Sequence, residues 1–451
     1  MMVLNEEPNL PSTPFDYKNI EFPEHLLEAR DTIETGYETE GIDTNSFKTI
    51  TDDKATLGRV LFYDQKLSAF ENISCSSCHN QSLSFTENKS FSEGISAPTK
   101  RNSLQLNDIG WSNNNSFFWD MSETDLHTMI RLPLTDDNEI GVDINDIADK
   151  LSLTTYYPLL FERAFGSSFI NEERIVDALV QFIKSMNTFD SRFDQEASTG
   201  FDGFTEAERN GLKLFGGHCN NCHSQGSHSD LFGEIIIFSE NEPLGGNNIF
   251  LEIFPFIFNN GLPEDEDDKG AGEWDEQFNN LFKIPTLRNI ELTGPYMHDG
   301  RFSTLEEVLD HYSDGVEANE WSFFIPGNGF NFSNKEKSDL IAFLKTLTDD
   351  SFLTEEKWSD PFEASSNNKN PGFNNLLVKP NPMDDRTVIS FENDGNELVS
   401  VNVLSADGRL IEHFKTNSNN VHFDKADFNS GLYFIQLIMG DRRSTQKLVV
   451  R

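Results

Sequence analysis

Cys75-Ser76-Ser77-Cys78-His79 and Cys219-Asn220-Asn221-Cys222-His223 are two copies of one pentapeptide, Cys-x-x-Cys-His, and together they use all four cysteines of the chain. Two thiols at this spacing can add to the two vinyl groups of one haem, and the adjacent imidazole then reaches the iron as an axial ligand. A single Cys-x-x-Cys also suits a redox dithiol or half of a zinc site. Two complete copies, each closed by a histidine with no cysteine left over, favour two covalently bound haem c groups. Two disulfides fit less well, because neighbouring helical Cys-x-x-Cys pairs rarely meet disulfide geometry.

The elements that must hold these sites repeat as well. Leu57-Gly58-Arg59-Val60-Leu61-Phe62 opens a helical pattern before the first site, and Gly211-Leu212-Lys213-Leu214-Phe215 precedes the second; both fit Gly-x-x-Leu-Phe. The second copy sits on a helix opened by the capping box Thr205-x-x-Glu208. Each half then closes on an apolar helical face, Ile175, Leu179, Phe182 and Met186 in one and Leu340, Phe343, Leu344 and Leu347 in the other, the latter capped by Ser333-x-x-Glu336. Helix, haem site, long loops and closing helix therefore occur twice. The expected fold class is mainly α: two cytochrome c-like haem domains at 51–200 and 201–350, preceded by an N-terminal lead-in, 1–50, wrapped on the surface.

After Thr348 the pattern changes. Residues 351–373 read as a polar linker, and from 374 to 451 the apolar period becomes two, as in Thr387–Phe391, Val399–Val403 and Leu432–Leu437, separated by turns such as Ala406-Asp407-Gly408 and Asn429-Ser430-Gly431. That is the signature of a small C-terminal β-sandwich.

The formal net charge of −41 argues against nucleic acid or anionic lipid as partners and suits either a solvated acidic surface or one that attracts basic redox proteins. No run of 18 or more apolar residues exists to form a transmembrane segment. The first residues show neither a basic nor an apolar leader, so no signal peptide is visible. Covalent haem attachment outside the cytoplasm requires export, and the expectation is a leader upstream of this start.

Over about residues 50–350 the chain resembles the bacterial dihaem cytochrome c peroxidases, a family that also includes the dihaem oxidase maturing the tryptophan-derived quinone of methylamine dehydrogenase. The resemblance runs through Leu61-Phe62-Tyr63-Asp64, Leu67-Ser68, Arg101-Asn102, Trp119-Asp120 and Pro133 with Glu139. It continues in Ile284-Pro285-Thr286-Leu287-Arg288-Asn289 and Thr293-Gly294-Pro295-Tyr296-Met297-His298-Asp299-Gly300. It implies that the His79 haem meets hydrogen peroxide and that the His223 haem receives and stores an electron. Glu139 falls at the position of the distal acid, where one carboxylate can move a proton from one peroxide oxygen to the other; taken alone, in Asp136-Asp137-Asn138-Glu139, it reads as a solvated turn. Trp119 matches the tryptophan between the haems, with a core tryptophan as the plain alternative. Asn102, Thr293 and Pro295 match positions that hold a calcium ion between the domains, through one side-chain amide and two backbone carbonyls.

Two departures from the peroxidase pattern matter. Many family members block the resting peroxidatic iron with a histidine in the loop after the first site, but no histidine occurs between His79 and His127, and the loop reads Phe91-Ser92-Glu93-Gly94-Ile95. The first iron is expected to be open. Where many peroxidases place a methionine ligand to the second iron, the count reaches Tyr312, which is the residue type of the methylamine-dehydrogenase-maturing oxidase. A phenolate lowers a haem potential and a thioether raises it. Met297 and His298 are rival ligands, and a helix-packed tyrosine is the plain reading. His218 and His228 read as exposed, and Glu264-Asp265-Glu266-Asp267-Asp268 as a solvated loop.

The C-terminal sandwich resembles the type IX secretion sorting domain, through Pro380-Asn381-Pro382, Gly408-Arg409, Gly431-Leu432-Tyr433-Phe434 and the terminal Lys447-Leu448-Val449-Val450-Arg451. This implies the type IX secretion machinery as partner, periplasmic transit and then secretion or surface anchoring. The expected function is reduction of hydrogen peroxide to water with electrons from a small redox protein, possibly a basic one. One rival is a dihaem oxidase that modifies a partner protein through high-valent haem. The other is a non-catalytic surface electron-transfer cytochrome.

Overall fold

The computed structural model describes residues 7–27, 30–31, 38–39, 49–69, 71–95, 97–111, 117–223, 257–263, 265, 267–317, 322, 325–362, 377–379, 383, 386–391, 398–405, 410–439 and 442–450. The chain divides into two compact units, Met1–Phe362 and Glu363–Arg451.

The larger unit is mainly helical and contains the expected repeat. Helix α1, Asp52–Tyr63, starts where the Thr51 side chain accepts a hydrogen bond from the Lys54 N–H, and it packs on α2, Glu172–Lys184, capped in the same way by Asn171. Helix α3, Glu206–His218, and α4, Asn334–Lys345, form the second pair, each opened by its predicted capping box, Thr205/Glu208 and Ser333/Glu336. The two crossings are near copies. A Cβ on Gly58 would lie 1.9 Å from the Ala178 carbonyl oxygen and 2.7 Å from the Phe182 Cβ; one on Gly211 would lie 2.0 Å from the Asp339 oxygen and 2.7 Å from the Phe343 Cβ. Glycine is what lets each pair touch backbone to backbone. Phe62 then meets Phe182 at 5.5 Å, and Phe215 meets Phe343 at 5.3 Å, so each pair seeds its own apolar core.

The Ile284–Asn289 segment stitches the two halves together. Gln105 Nε2 donates to the Thr286 carbonyl at 3.0 Å, and Asn289 Nδ2 donates to Ser84 Oγ at 2.9 Å. Arg288, fully buried, forms a two-point pair with Asp194 at 2.7 and 2.8 Å.

Two stretches differ from expectation at their ends. The lead-in is not only a surface wrap: Tyr17, Leu26 and Ile50 are buried in the first core, and the Tyr17 hydroxyl donates to the Lys357 carbonyl at 2.6 Å. The start of the expected linker is core as well. Phe352 and Trp358 are buried beside α1, where Tyr63 donates to the Trp358 carbonyl and Arg59 to the Ser359 carbonyl. Large aromatic residues outweigh the polar composition around them, because burying each removes a large apolar area from water. The rest of the expected linker, 363–373, lies outside the described residues.

Among its described residues the smaller unit has seven strands: β1 Leu377–Lys379, β2 Arg386–Ser390, β3 Val399–Ser405, β4 Leu410–Thr416, β5 Asn420–Asp424, β6 Gly431–Met439 and β7 Arg442–Val450. They form antiparallel sheets in the orders β7-β6-β3-β4 and β1-β2-β5. Alternate residues of both, including Ile389, Phe423, Val401 and Leu437, share one core. This is the two-sheet arrangement that the period-two pattern predicts. Pro380–Pro382 and Ala406–Arg409 lie outside the described residues.

Candidate functional site

At the first Cys-x-x-Cys-His the thiols ride on a single helical turn, Cys75–Cys78, where Ser77 Oγ accepts from the Ser74 N–H at 3.0 Å. Burial pushes the Cys75 thiol up to about 12 and the Cys78 thiol to about 11. Thiols held this far from ionising are poor nucleophiles for a dithiol redox centre. Ser84 and Phe85 both take left-handed backbone conformations, with φ of 58° and 56°, and turn the chain back on the site. The Phe85 carbonyl thereby lies 2.8 Å from His79 Nδ1. That contact makes Nδ1 the donor nitrogen and leaves Nε2 for a metal. Burial also lowers the His79 pKa, which keeps the ring neutral. Thiols, turn and oriented imidazole fit a covalently held haem.

Glu139 stands beside this site. Burial, with Asp136 contributing, raises its carboxyl above the ordinary range, and its charge in turn pushes both Cys75 and Cys78 upward. It is half-buried, unlike the exposed Asp136 and Asp137 of the same run. The turn carrying it follows the helix Leu126–Thr135 and is closed by Glu139 N–H to the Asp136 carbonyl and Ile140 N–H to the Pro133 carbonyl. The Phe91–Ile95 loop is pinned to that turn: Ile95 N–H donates to the Asn138 carbonyl at 2.7 Å, and Ala97 N–H to Asn138 Oδ1 at 2.7 Å. A Cβ on Gly94 would sit 2.1 Å from the Asn138 carbonyl oxygen, so this close approach requires glycine. His127, the next histidine in the chain, is exposed near Asp125.

The second site sits at the C-terminus of α3. His223 packs near Phe215 and shares a hydrogen bond with the Pro285 carbonyl, and burial lowers its pKa to about 4. Like His79, it is a buried imidazole kept neutral. Cys219, Cys222 and His223 line a cavity that Tyr312 and Met297 line as well. A mostly apolar hollow carrying both thiols and the imidazole is chemically suited to a covalently held haem.

Of the rival ligands, Tyr312 lies in a single turn of π-helix, His311–Gly315, an irregularity that frequently marks functional positions. Burial, followed by the Cys222 and Cys219 thiols, pushes its hydroxyl well above the ordinary tyrosine range. Met297 Sδ accepts from Asn260 Nδ2 at 3.6 Å. His298 is buried off the cavity wall, stacked on Phe282 at 3.7 Å, and neither ring nitrogen has a hydrogen-bond partner among the described residues.

Trp119 is buried. Its indole N–H donates to the Asn102 carbonyl at 2.8 Å, its own carbonyl accepts from Lys283 N–H at 2.7 Å, and its edge faces His298 at 6.5 Å. It lines the second cavity together with Asn102, Thr293 and Pro295. Asn102 Nδ2 donates to the Lys89 carbonyl, which leaves its Oδ1 as the oxygen available to a hard cation.

Two plain readings are corrected. His218 is half-buried against Phe330 and Phe332 and lines the haem cavity. Asp268 is not solvated: it takes Arg101 in a two-point ion pair at 2.6 and 2.8 Å, while Arg101 also holds Asp120 at 2.6 Å. Glu264, Glu266 and His228 lie outside the described residues. Sequence reasoning also passed over Lys283, an amine in the cavity wall whose pKa burial lowers to about 8, and the buried carboxylate Glu87 near Cys78. Neither carries a local pattern that would single it out.

Residues 52–200 match the family model of the di-haem cytochrome c peroxidases, and residues 378–451 match the secretion system C-terminal sorting domain. Cytochrome c551 peroxidase of Nitrosomonas europaea is 32% identical over 332 residues, 71% of this chain and 86% of that protein. The methylamine utilization protein MauG of Methylorubrum extorquens is 30% identical over 303 residues, 66% of this chain and 79% of that one. The crystal structure of a MauG-like protein associated with microbial copper homeostasis superposes with a TM-score of 0.61 at 29% identity, covering 76% of this chain and 99% of that one.

Proposed function

Because the chain belongs to the di-haem cytochrome c peroxidase family, and so is an oxidoreductase carrying two c-type haems, we propose that it reduces hydrogen peroxide to water with electrons from a small redox protein. A haem bound at Cys75, Cys78 and His79 supplies the iron at which peroxide is reduced. The observation that carries the reading is Glu139: a half-buried carboxyl with a raised pKa, close enough to the first thiol pair for its charge to act on both, on a turn fastened to a loop without histidine. Glu139 takes the proton from one peroxide oxygen and returns it to the other, so that the leaving oxygen departs as water. The Phe91–Ile95 loop leaves the peroxide face of the site without a histidine ligand. The Phe85 carbonyl holds the proton on His79 Nδ1 throughout. Trp119 carries electrons between the two sites, and Asn102, Thr293 and Pro295 hold a calcium ion that fixes the domains around it.

The decisive measurement is peroxide consumption by the purified dihaem protein with a reduced cytochrome as donor. Glu139→Gln is expected to lower turnover about 10²- to 10⁴-fold with the absorption spectrum unchanged. Full activity in that variant would exclude Glu139 as the proton carrier.

Tyr312 favours a second reading, an oxidase that modifies side chains of a partner protein, since a phenolate on the second iron stabilises oxidised states. Peroxide-treated protein that keeps its oxidising equivalents for minutes while failing to turn over a cytochrome donor would support that reading against the first. The sorting domain supports passage through the periplasm and then across the outer membrane by the type IX machinery.

A further inference from the structure

Trp274 is an exposed tryptophan wired to the buried one. Half of its surface is open to solvent, yet its indole N–H donates to the Asp120 carbonyl at 2.8 Å, and Asp120 is the residue bonded to Trp119. From the surface ring to the Trp119 ring the route is one hydrogen bond followed by covalent bonds alone, and Trp119 lines the second haem cavity. The geometry is held firmly. Arg101 grips Asp120 with one nitrogen and Asp268 with two others, tying the chain that leads into Trp274 to the chain that carries Trp119. Phe278 packs against the Trp274 ring at 5.3 Å, and the Trp274 and Asp275 N–H groups close back on the Ala271 carbonyl. Other exposed apolar side chains, such as Leu153, Leu159 and Phe169, have no comparable link to either haem site among the described contacts.

We propose that the face around Trp274 is where a small, basic, one-electron redox protein docks and that Trp274 is its electron port to Trp119. The charge fits that partner and opposes an acidic one. Glu273 and Glu276 are exposed on either side of Trp274, Asp265 and Asp267 are exposed on the same segment and outnumber the exposed Lys269 there, and the whole chain carries −41. In each encounter the partner's ferrous iron loses one electron and becomes ferric, and the electron passes through the Trp274 and Trp119 rings to reduce the haem pair by one equivalent. Two such encounters with two protons convert one hydrogen peroxide to two waters. This rests on the proposed peroxidase function only in requiring that electrons arrive from a protein.

The test separates docking, conduction and peroxide chemistry. Zinc-substituted mitochondrial-type cytochrome c, a basic protein, injects one electron on photoexcitation, and its arrival at the oxidised dihaem protein is followed by haem absorbance without peroxide. Trp274→Phe is expected to slow the electron transfer within the complex by about tenfold, with the dissociation constant from calorimetry moving less than about threefold. The double variant Glu273→Lys with Glu276→Lys is expected to show the opposite split: about tenfold weaker association that converges with wild type at high salt, and an intracomplex rate within about twofold. An unchanged intracomplex rate in Trp274→Phe overturns the port, and unchanged affinity in the double lysine variant overturns the docking face. Peroxide consumption with hexaammineruthenium(II), which needs no protein docking, reports separately on the peroxidase reading.

Discussion

At the scale of single residues, the site works by choosing which groups stay neutral. Burial lowers the histidines of both Cys-x-x-Cys-His sites, and backbone carbonyls stand at both rings, Phe85 and Leu104 at His79 and Pro285 at His223, so each is a neutral imidazole of the kind the proposed iron ligation needs. Glu139 is shifted the other way. Its carboxylate form, the one proposed to accept the proton of peroxide, fills only above a pKa raised by burial. As pH falls through that raised value the carboxyl protonates and turnover declines, at a higher pH than an ordinary carboxylate would give. A pH profile of kcat/KM is therefore expected to show an acid limb above the usual glutamate range, and Glu139→Gln to flatten it. Tyr312 is decided by the same logic. A phenol buried beside two thiols keeps its proton unless a metal compensates the charge, so a phenolate there implies direct bonding to iron. Tyr312→Met is expected to raise the second haem potential and change its electron paramagnetic resonance spectrum; an unchanged spectrum would leave Tyr312 as packing only. The ligand residues are readable in the sequence because covalent attachment demands a fixed spacing. The carbonyls that orient them are not, since every residue carries one and only the turn at Ser84-Phe85 selects which is used.

At the scale of elements, the two halves of the larger unit share one device. In each, a glycine on the helix leading to the haem site lets the closing helix approach to backbone contact, and the phenylalanine four residues later on the same helix fills the crossing. The Gly-x-x-Leu-Phe echo is legible for this physical reason: no larger residue fits the first position, and the last must face the core. Gly58→Ala and Gly211→Ala each gain about 1 kcal/mol of helix propensity but force a methyl into a carbonyl, an overpacking cost of about 1–3 kcal/mol. With contacts under 2.1 Å the cost is expected at the upper end, so both variants should lower the denaturation midpoint. Gly217→Ala, on the same helix as Gly211 with nothing within 4 Å, is the control expected to hold or raise it. Long-range closures are much less legible. The return of Trp358 to Tyr63 spans 295 positions and that of Trp274 to Asp120 spans 154, and in both cases the ring sits in a polar, acidic stretch whose local pattern reads as surface.

At the scale of the whole molecule, the division falls at Phe362, after the last aromatic residues that complete the first core. Composition alone moves that boundary earlier, because Ser, Asn and Pro begin to dominate while Phe352 and Trp358 are still buried. On one side of it lie both thiol pairs, both histidines, Glu139, Trp119 and Tyr312; on the other lies a two-sheet unit with its own core and a match to a secretion sorting domain. No residue proposed for peroxide chemistry belongs to the smaller unit, and the two cores share no member. A chain ended at Phe362 is therefore expected to attach both haems, to reproduce the full chain's absorption spectrum and to consume peroxide within about twofold of its rate, as independent domains allow. Its fate in the cell should differ. In a host with a type IX system, haem staining of periplasmic, surface and medium fractions is expected to find the full chain at the surface or in the medium, and the shortened chain held in the periplasm. A shortened chain that still left the cell would assign export to the larger unit. One that lost a haem would show that the sorting unit supports the catalytic fold.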